Sequence, residues 1–249
     1  MRNFLNYVIL HQVCLDYTAD VLAARKICDL AEREWASILQ LRNALPGSYN
    51  VAASTLYGGH YQNMYSGSAT WDVEENWVNN RAVSDQEAER IFKTAIAFAG
   101  TDALFLEAMK ADVHIAKTES RCFEVVKVER PSLDTIKEYA AVKDHKGESG
   151  YIKPLGVIYF KHWEGPGIEP EDVTDNESEA EITADAEPAN EMFWLEDEIL
   201  QHCFPGLKVQ LLVHELNIGV KFFDRIEGLY PSFFLYLPNE KMAHWKEPG

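Results

Sequence analysis

The chain has 249 residues, 47% hydrophobic and 25% charged, which is enough for one large core or two small ones and ordinary for a soluble globular protein. No apolar run reaches the roughly 18 residues that a membrane-spanning helix needs. A net charge of −17 argues against independent binding to nucleic acid, whose phosphates call for a basic face.

In chain order, "MRNFLNYVILHQVC" has a short apolar run after Arg2. His11 and Gln12 interrupt it and no small-residue cleavage site follows, so it does not read as a signal peptide. Cys14, Cys28, Cys122 and Cys203 are scattered with no CxxC pair, which predicts reduced thiols in a cytoplasmic or nuclear protein. The sequon at Asn176 is then a chance match. From Val21, the residues Ala24, Cys28, Ala31, Trp35 and Ile38 follow at spacings of three and four, with Arg25, Lys26, Asp29, Glu32 and Arg33 on the other side. This predicts a long amphipathic helix, ended by Pro46-Gly47, with Cys28 as a core thiol.

The stretch "STLYGGHYQNMYSGSATWD" (54–72) combines three tyrosines, a histidine and a tryptophan with glycine and serine breaks, a texture that no other stretch of the chain has. Tyr57, Tyr61 and Tyr65 recur every four residues, but Gly58-Gly59 would cost a helix about 2 kcal/mol relative to Ala-Ala. Tyr57 is therefore expected not to share a helix with Tyr61, while His60 to Tyr65 forms one short turn that gathers Tyr61, Met64 and Tyr65. There is no Lys or Arg from Ser54 to Asn80, so the rings do not form a stacking platform for nucleic acid. Two readings stay open: an aromatic plug between helix and sheet, or a protein-docking surface anchored by Tyr57, Tyr61, Met64, Tyr65 and Trp71.

Ser84 with Glu87 forms a capping-box pattern ahead of Ile91, Phe92, Ala95, Ile96 and Ala99, and Gly100 stops that helix. Thr101 can cap the next, through Leu104, Phe105 and Met109. "VHIAKT" (113–118) and "CFEVVKV" (122–128) are two strand candidates, and Pro131 opens a short helix through Ile136 and Tyr139. "KDHKGESG" (143–150) reads as a polar loop and "LGVIYFKHW" (155–163) as a buried strand.

Glu164 to Asn190 holds ten acidic residues and no Lys, Arg or His; without it, 30 acidic residues face 23 basic ones, a net of −7. Within it, residues 171–190 have no aromatic side chain and two large aliphatic ones, too little burial to offset ordering entropy. Residues 165–190 are therefore expected to be a disordered acidic insertion within a single α+β domain, 1–249. Asn190 is predicted to cap a helix presenting Met192, Leu195, Ile199 and Leu200. Beyond it, Leu207, Val209, Leu211 and Val213 alternate with Lys208, Gln210 and His214, a strand pattern. "IGVKFF" and "SFFLYL" extend the sheet, separated by a turn-like "DRIEG". The fold class is α+β: a helical N-terminal half packed on a mostly antiparallel sheet.

No phosphate loop, complete GxGxxG or GxSxG is present, and Gly165-Pro-Gly167 sits in an acidic context that would repel phosphate. His214-Glu215 is half of an HExxH, with Ile218 where the second ligand belongs; on a strand those positions lie about 13 Å apart. His214 is accordingly expected to face solvent. The pairs His11/Cys14 and His202/Cys203 lie too far apart in sequence to announce a zinc site. No catalytic, cofactor-binding or metal-binding residue is assigned. Two alternatives remain: an enzyme site assembled from His60, Cys203, His214 or Glu215, and a small-molecule module walled by Tyr57, Tyr61 and Trp71.

The blocks "FLNYVILHQVCLDY" (4–17), "AARKICDLAEREW" (23–35), "STLYGGHYQNMY" (54–65) and "ILQHCFPGLKVQLLVHELNIGVKFFDRIEGLYPSFFLYLPNE" (199–240) together resemble the Argonaute-binding subunit of the fungal Argonaute siRNA-chaperone complex. The resemblance covers most of the chain outside the acidic stretch. It implies a non-enzymatic partner of Argonaute and of a second chaperone subunit, meeting RNA only through Argonaute, with no membrane and no cofactor. It further implies restraint of slicing or of passenger-strand release, support of small-RNA-directed heterochromatin, and residence in nucleus and cytoplasm. Members of that family carry further sequence before the first block, so a truncated or shortened member is expected.

Overall fold

The computed structural model describes residues 1–65, 81–110, 112–142, 153–166 and 190–236. Helix α1 (Arg2–Leu10) folds back on the first half of α2 (Thr18–Ala44) through a 3-10 turn at Leu15–Tyr17. Leu5 and Val8 are buried in that hairpin, Arg2 pairs with Asp29 and Glu32, and Arg25 donates to Asn6. The predicted apolar stripe divides in two. Val21, Ala24, Cys28 and Ala31 are half-buried, Trp35 is 58% exposed, and Ile38 reaches the core. Cys28 is thus a half-buried thiol at the helical hairpin, because only the second half of α2 meets the sheet.

Past Pro46-Gly47, α3 (Ser48–Tyr57) is buried at every position from Tyr49 to Thr55. It ends as the double glycine predicts: Gly58 adopts φ 94°, a left-handed cap open to glycine at little cost, and Tyr57 is cut off from Tyr61. Residues 60–63 continue as turns, with Gln62 N–H donating to the Gly59 carbonyl and Met64 N–H to that of Tyr61, and the expected turn stops short of Met64 and Tyr65.

Helix α4 (Asp85–Ala99) starts on the predicted cap, Ser84 Oγ accepting from Glu87 N–H at 3.3 Å, and buries Ile91, Phe92, Ala95 and Ile96. The Glu87 carboxylate turns to Arg90 at 3.1 Å. Replacing Ser84 by alanine is expected to cost about 1 kcal/mol in urea unfolding, the ordinary value of an N-cap. Helix α5 (Asp102–Lys110) follows, with Thr101 Oγ1 accepting from Leu104 N–H.

Five antiparallel strands form one sheet in the order β3-β2-β1-β4-β5. The two strand candidates before residue 129 are a single strand, β1 (Ile115–Glu129), because Glu119–Arg121 stay paired with Val213–Leu211 of β4 (Lys208–Leu216). Ser132 caps α6 (Leu133–Ala141), two residues later than the proline suggested. β2 (Leu155–His162) falls where expected.

The helix predicted from Asn190 is not formed. Glu191–Glu196 is strand β3, paired with β2 from Phe160↔Glu191 to Leu155↔Glu196, and only Asp197–Leu200 is helical, as α7. Residues 192–195 are all apolar and fit either period; the neighbouring ladder decides. Likewise β5 (Lys221–Tyr230) runs straight through "DRIEG", with register shifts opposite Gln210/Leu211 and Leu212/Val213 absorbing the extra residues. The described part of "SFFLYL", residues 232–236, forms no strand: after Pro231 the chain turns, with Phe234 N–H bonded to the Pro231 carbonyl.

The sheet curls until its two end strands approach. Phe193 of β3 meets Phe223 of β5 with ring centroids 5.8 Å apart, and Glu191 pairs with Lys221 at 2.9 Å and with Arg121 of β1. Consecutive residues serve opposite faces. Phe193 and Phe223 join Ile38, Leu41, Phe123 and Phe160 in one core, while Trp194 and Phe222 join Tyr49, Phe92 and Ile96 of α3 and α4 in another. The acidic stretch 171–190 and the loop 143–150 lie outside the described residues, apart from Asn190. Because β2 and β3 are ladder neighbours, the chain between His162 and Glu191 is an insertion between adjacent strands.

Candidate functional site

Where α3 crosses β5, a buried carboxylate gathers polar groups from four segments. Asp224 Oδ2 accepts from Ser54 Oγ and from His60 N–H, each at 2.7 Å. Its Oδ1 lies 3.0 Å from His214 Nε2. His214 Nδ1 lies 2.9 Å from Thr118 Oγ1 on β1, and Ser54 Oγ accepts from Tyr61 N–H at 3.0 Å. Burial works to raise the Asp224 carboxyl; His214, Ser54 and His60 N–H more than offset it and hold it below its ordinary 3.8. Gly59 is required here: a Cβ would stand 2.3 Å from both Asp224 Oδ2 and Ser54 Oγ. The expectation that His214 faces solvent is overturned. It is 5% exposed, because α3 and the turn after it cover that face of β4 and β5, and it stacks on Phe222 at 4.9 Å.

A second polar anchor fixes the start of α3. Glu196, at the end of β3, accepts from Tyr49 N–H at 2.7 Å and Ser48 Oγ at 2.8 Å, supplying negative charge where the helix presents free N–H groups. Sequence reading found neither carboxylate. The available signals were a lone acid after an apolar run in "FFDRI" for Asp224 and the first of three consecutive acids after an apolar run in "FWLEDE" for Glu196.

Beside Asp224 a groove of about 500 Å³ opens between the second half of α2 and β5. Trp35, Leu39 and Arg42 form one wall, Arg225–Leu229 the other, and Tyr61 and Arg81 close one end. Arg81 donates to the carbonyls of Asn43 and Leu45, unpaired groups at the end of α2.

The aromatic stretch is divided by this architecture. Tyr57 packs edge-on against Phe92 at 5.0 Å in the α3–α4 core, its phenol pushed up to about 12 by burial. Tyr61 is 6% exposed and borders the groove, Met64 is half-buried, Tyr65 is 54% exposed, and Trp71 lies outside the described residues. Tyr57 and Tyr61 therefore belong to different environments.

The groups considered for an assembled enzyme site are also divided. His60 and His214 both reach Asp224, His60 through its main chain. Glu215 points to the opposite face of β4 from His214. The Cys203 thiol packs against the α2-side core, donates toward the Ile199 carbonyl at 3.6 Å, and is pushed up to about 12 by burial. In the Ser54–Asp224–His214 chain the carboxylate sits between hydroxyl and imidazole, so the imidazole has no direct contact through which to take the hydroxyl proton. Among the described residues, no three His, Cys, Asp or Glu side chains gather in a metal-binding group.

The family model for the Argonaute siRNA chaperone (ARC) complex subunit Arb1 matches residues 1–248, and the chain belongs to this family. The family ties it to siRNA-dependent silencing as a subunit of an Argonaute-associated chaperone complex. No curated protein and no solved structure matches it.

Proposed function

We propose that this protein is a non-catalytic subunit that binds Argonaute and a second chaperone subunit, meets small RNA only through Argonaute, and restrains slicing or passenger-strand release. In this role it supports heterochromatin formation and works in nucleus and cytoplasm. Family membership over residues 1–248 carries the reading. The physical chemistry agrees with it: a chain of net charge −17 needs a basic partner to approach RNA, and the buried polar residues bond one another.

Within the aromatic stretch, Tyr65 and Met64 are the anchors that a partner can reach, Tyr61 and Tyr57 being held inward. The test is purification of the tagged chain from its own cells at gentle salt, followed by mass spectrometry. Argonaute is expected among the recovered proteins, and its absence would overturn the proposal. Replacing Met64 and Tyr65 together by alanine is expected to reduce Argonaute recovery about tenfold, the effect of losing more than 1 kcal/mol of interface contact. Unchanged recovery would move the interface elsewhere.

A further inference from the structure

β5 ends the ladder order, so among the described residues no strand is paired to its outer edge. At its beginning that edge is covered: Phe223 N–H donates to Asn50 Oδ1 of α3 at 3.2 Å, and Ser54 and His60 close over Asp224. Over Arg225–Leu229 no main-chain group on that side has a partner among the described residues. These five residues border the α2–β5 groove without a gap. Glu227 is an extra residue opposite Gln210/Leu211, so side-chain alternation is broken within this run, and the groove follows the strand along its length.

The facing wall is apolar and open, with Trp35 58% and Leu39 43% exposed. The groove lining carries three arginines, Arg42, Arg81 and Arg225, against two carboxylates, Asp224 and Glu227, an excess of one positive charge. Asp224 is buried with His214, Glu227 accepts from Ser120 and Gln210, and Arg81 is bonded to the end of α2. Arg42 and Arg225 remain exposed, with no ion pair among the described residues, on a chain of net charge −17.

We infer that the α2–β5 groove binds an extended acidic segment of a protein partner. The segment adds as a strand to Arg225–Leu229, sets apolar side chains against Trp35 and Leu39, and places carboxylates beside Arg42 and Arg225. A nucleic acid would gain little from an unpaired strand edge, and two arginines neutralise too few phosphates to hold it. A second copy of this chain, meeting the same patch across a two-fold axis, would set basic surface against basic surface. The inference does not require the partner to be Argonaute.

The test is fluorescence anisotropy with the full chain and a labelled nine-residue peptide of alternating Glu with Leu or Val. Micromolar to sub-millimolar binding is expected. It should weaken at least tenfold against the Arg42→Glu/Arg225→Glu double variant, whose changes are exposed and whose fold circular dichroism can verify. Of two peptides N-methylated at alternate residues, the one whose edge-facing donors are blocked should also bind at least tenfold more weakly. The inference is overturned if the acidic peptide does not bind at 1 mM, if the charge-reversed variant or a Lys-for-Glu peptide binds equally well, or if both methylated peptides match the parent. It is equally overturned if a labelled twelve-nucleotide RNA binds the groove more tightly than the peptide, or if Arg42→Glu/Arg225→Glu abolishes self-association of the chain and leaves peptide binding unchanged.

Discussion

Replacing Asp224 by alanine is expected to lower the free energy of unfolding by about 3–5 kcal/mol, measured by urea denaturation. This is the cost of removing one member of a buried, charge-assisted network. The variant leaves the Ser54 hydroxyl and His60 N–H without their acceptor, removes the carboxylate beside His214 Nε2, and unpins the turn after α3 from β5. The same carboxylate makes stability depend on acid. Its folded-state pKa lies below the ordinary 3.8 of the unfolded chain, so the unfolded state takes up a proton first as pH falls. The stabilisation from Asp224 is therefore fully present above that ordinary value and is lost as pH drops through the lower folded value. Asp224→Asn is expected to flatten this part of the acid limb. An unaltered acid limb in the asparagine variant would show that other carboxylates govern it.

Phe193→Ala is expected to be comparably severe, about 3–5 kcal/mol, the usual range for deleting a buried phenylalanine ring. Phe193 is 1% exposed and packs against Phe123, Phe160 and Phe223, so it joins β3 to β5 across the curl of the sheet as well as filling the core. Phe193→Leu, which keeps much of the volume, should recover more than half of the loss. An alanine variant with near-native stability would mean that the β3–β5 approach contributes little to holding the curl.

The elements that the sequence shows correctly are those with strong local signals. Ser84 before Glu87, Thr101 before Leu104, Gly58-Gly59 after Tyr57 and the alternation from Leu207 to Val213 each carry their own physics within a few residues. The errors fall where local preference is weak and a neighbour decides. Residues 191–196 fit a helix or a strand until β2 supplies a ladder, and "DRIEG" resembles a turn until β4 pairs across it with shifted register. His214 has a polar position in an alternating strand, which implies solvent when one face of the sheet is open. Both faces of this sheet are covered, so the rule fails there.

The candidate surfaces follow the same division. Tyrosines set among glycines and serines marked residues 54–72, yet the fates of those described depend on α3: it carries Tyr57 to Phe92, brings Tyr61 to the border of the groove and leaves Tyr65 outside. Arg42 and Arg225 lie 183 positions apart and form a pair only because the end of α2 lies along the edge of β5.

By itself the sequence determined the α+β class, the acidic imbalance, the caps and breaks of the helices, and the likeness to a family of Argonaute siRNA chaperone subunits. These rest on composition and on interactions spanning a few residues. Tertiary structure alone decided that Asp224 and Glu196 anchor α3, that His214 is buried, and that a groove bearing Arg42 and Arg225 borders a strand edge unpaired among the described residues. Each of these depends on groups far apart in the chain, and local preference does not encode which of them will meet.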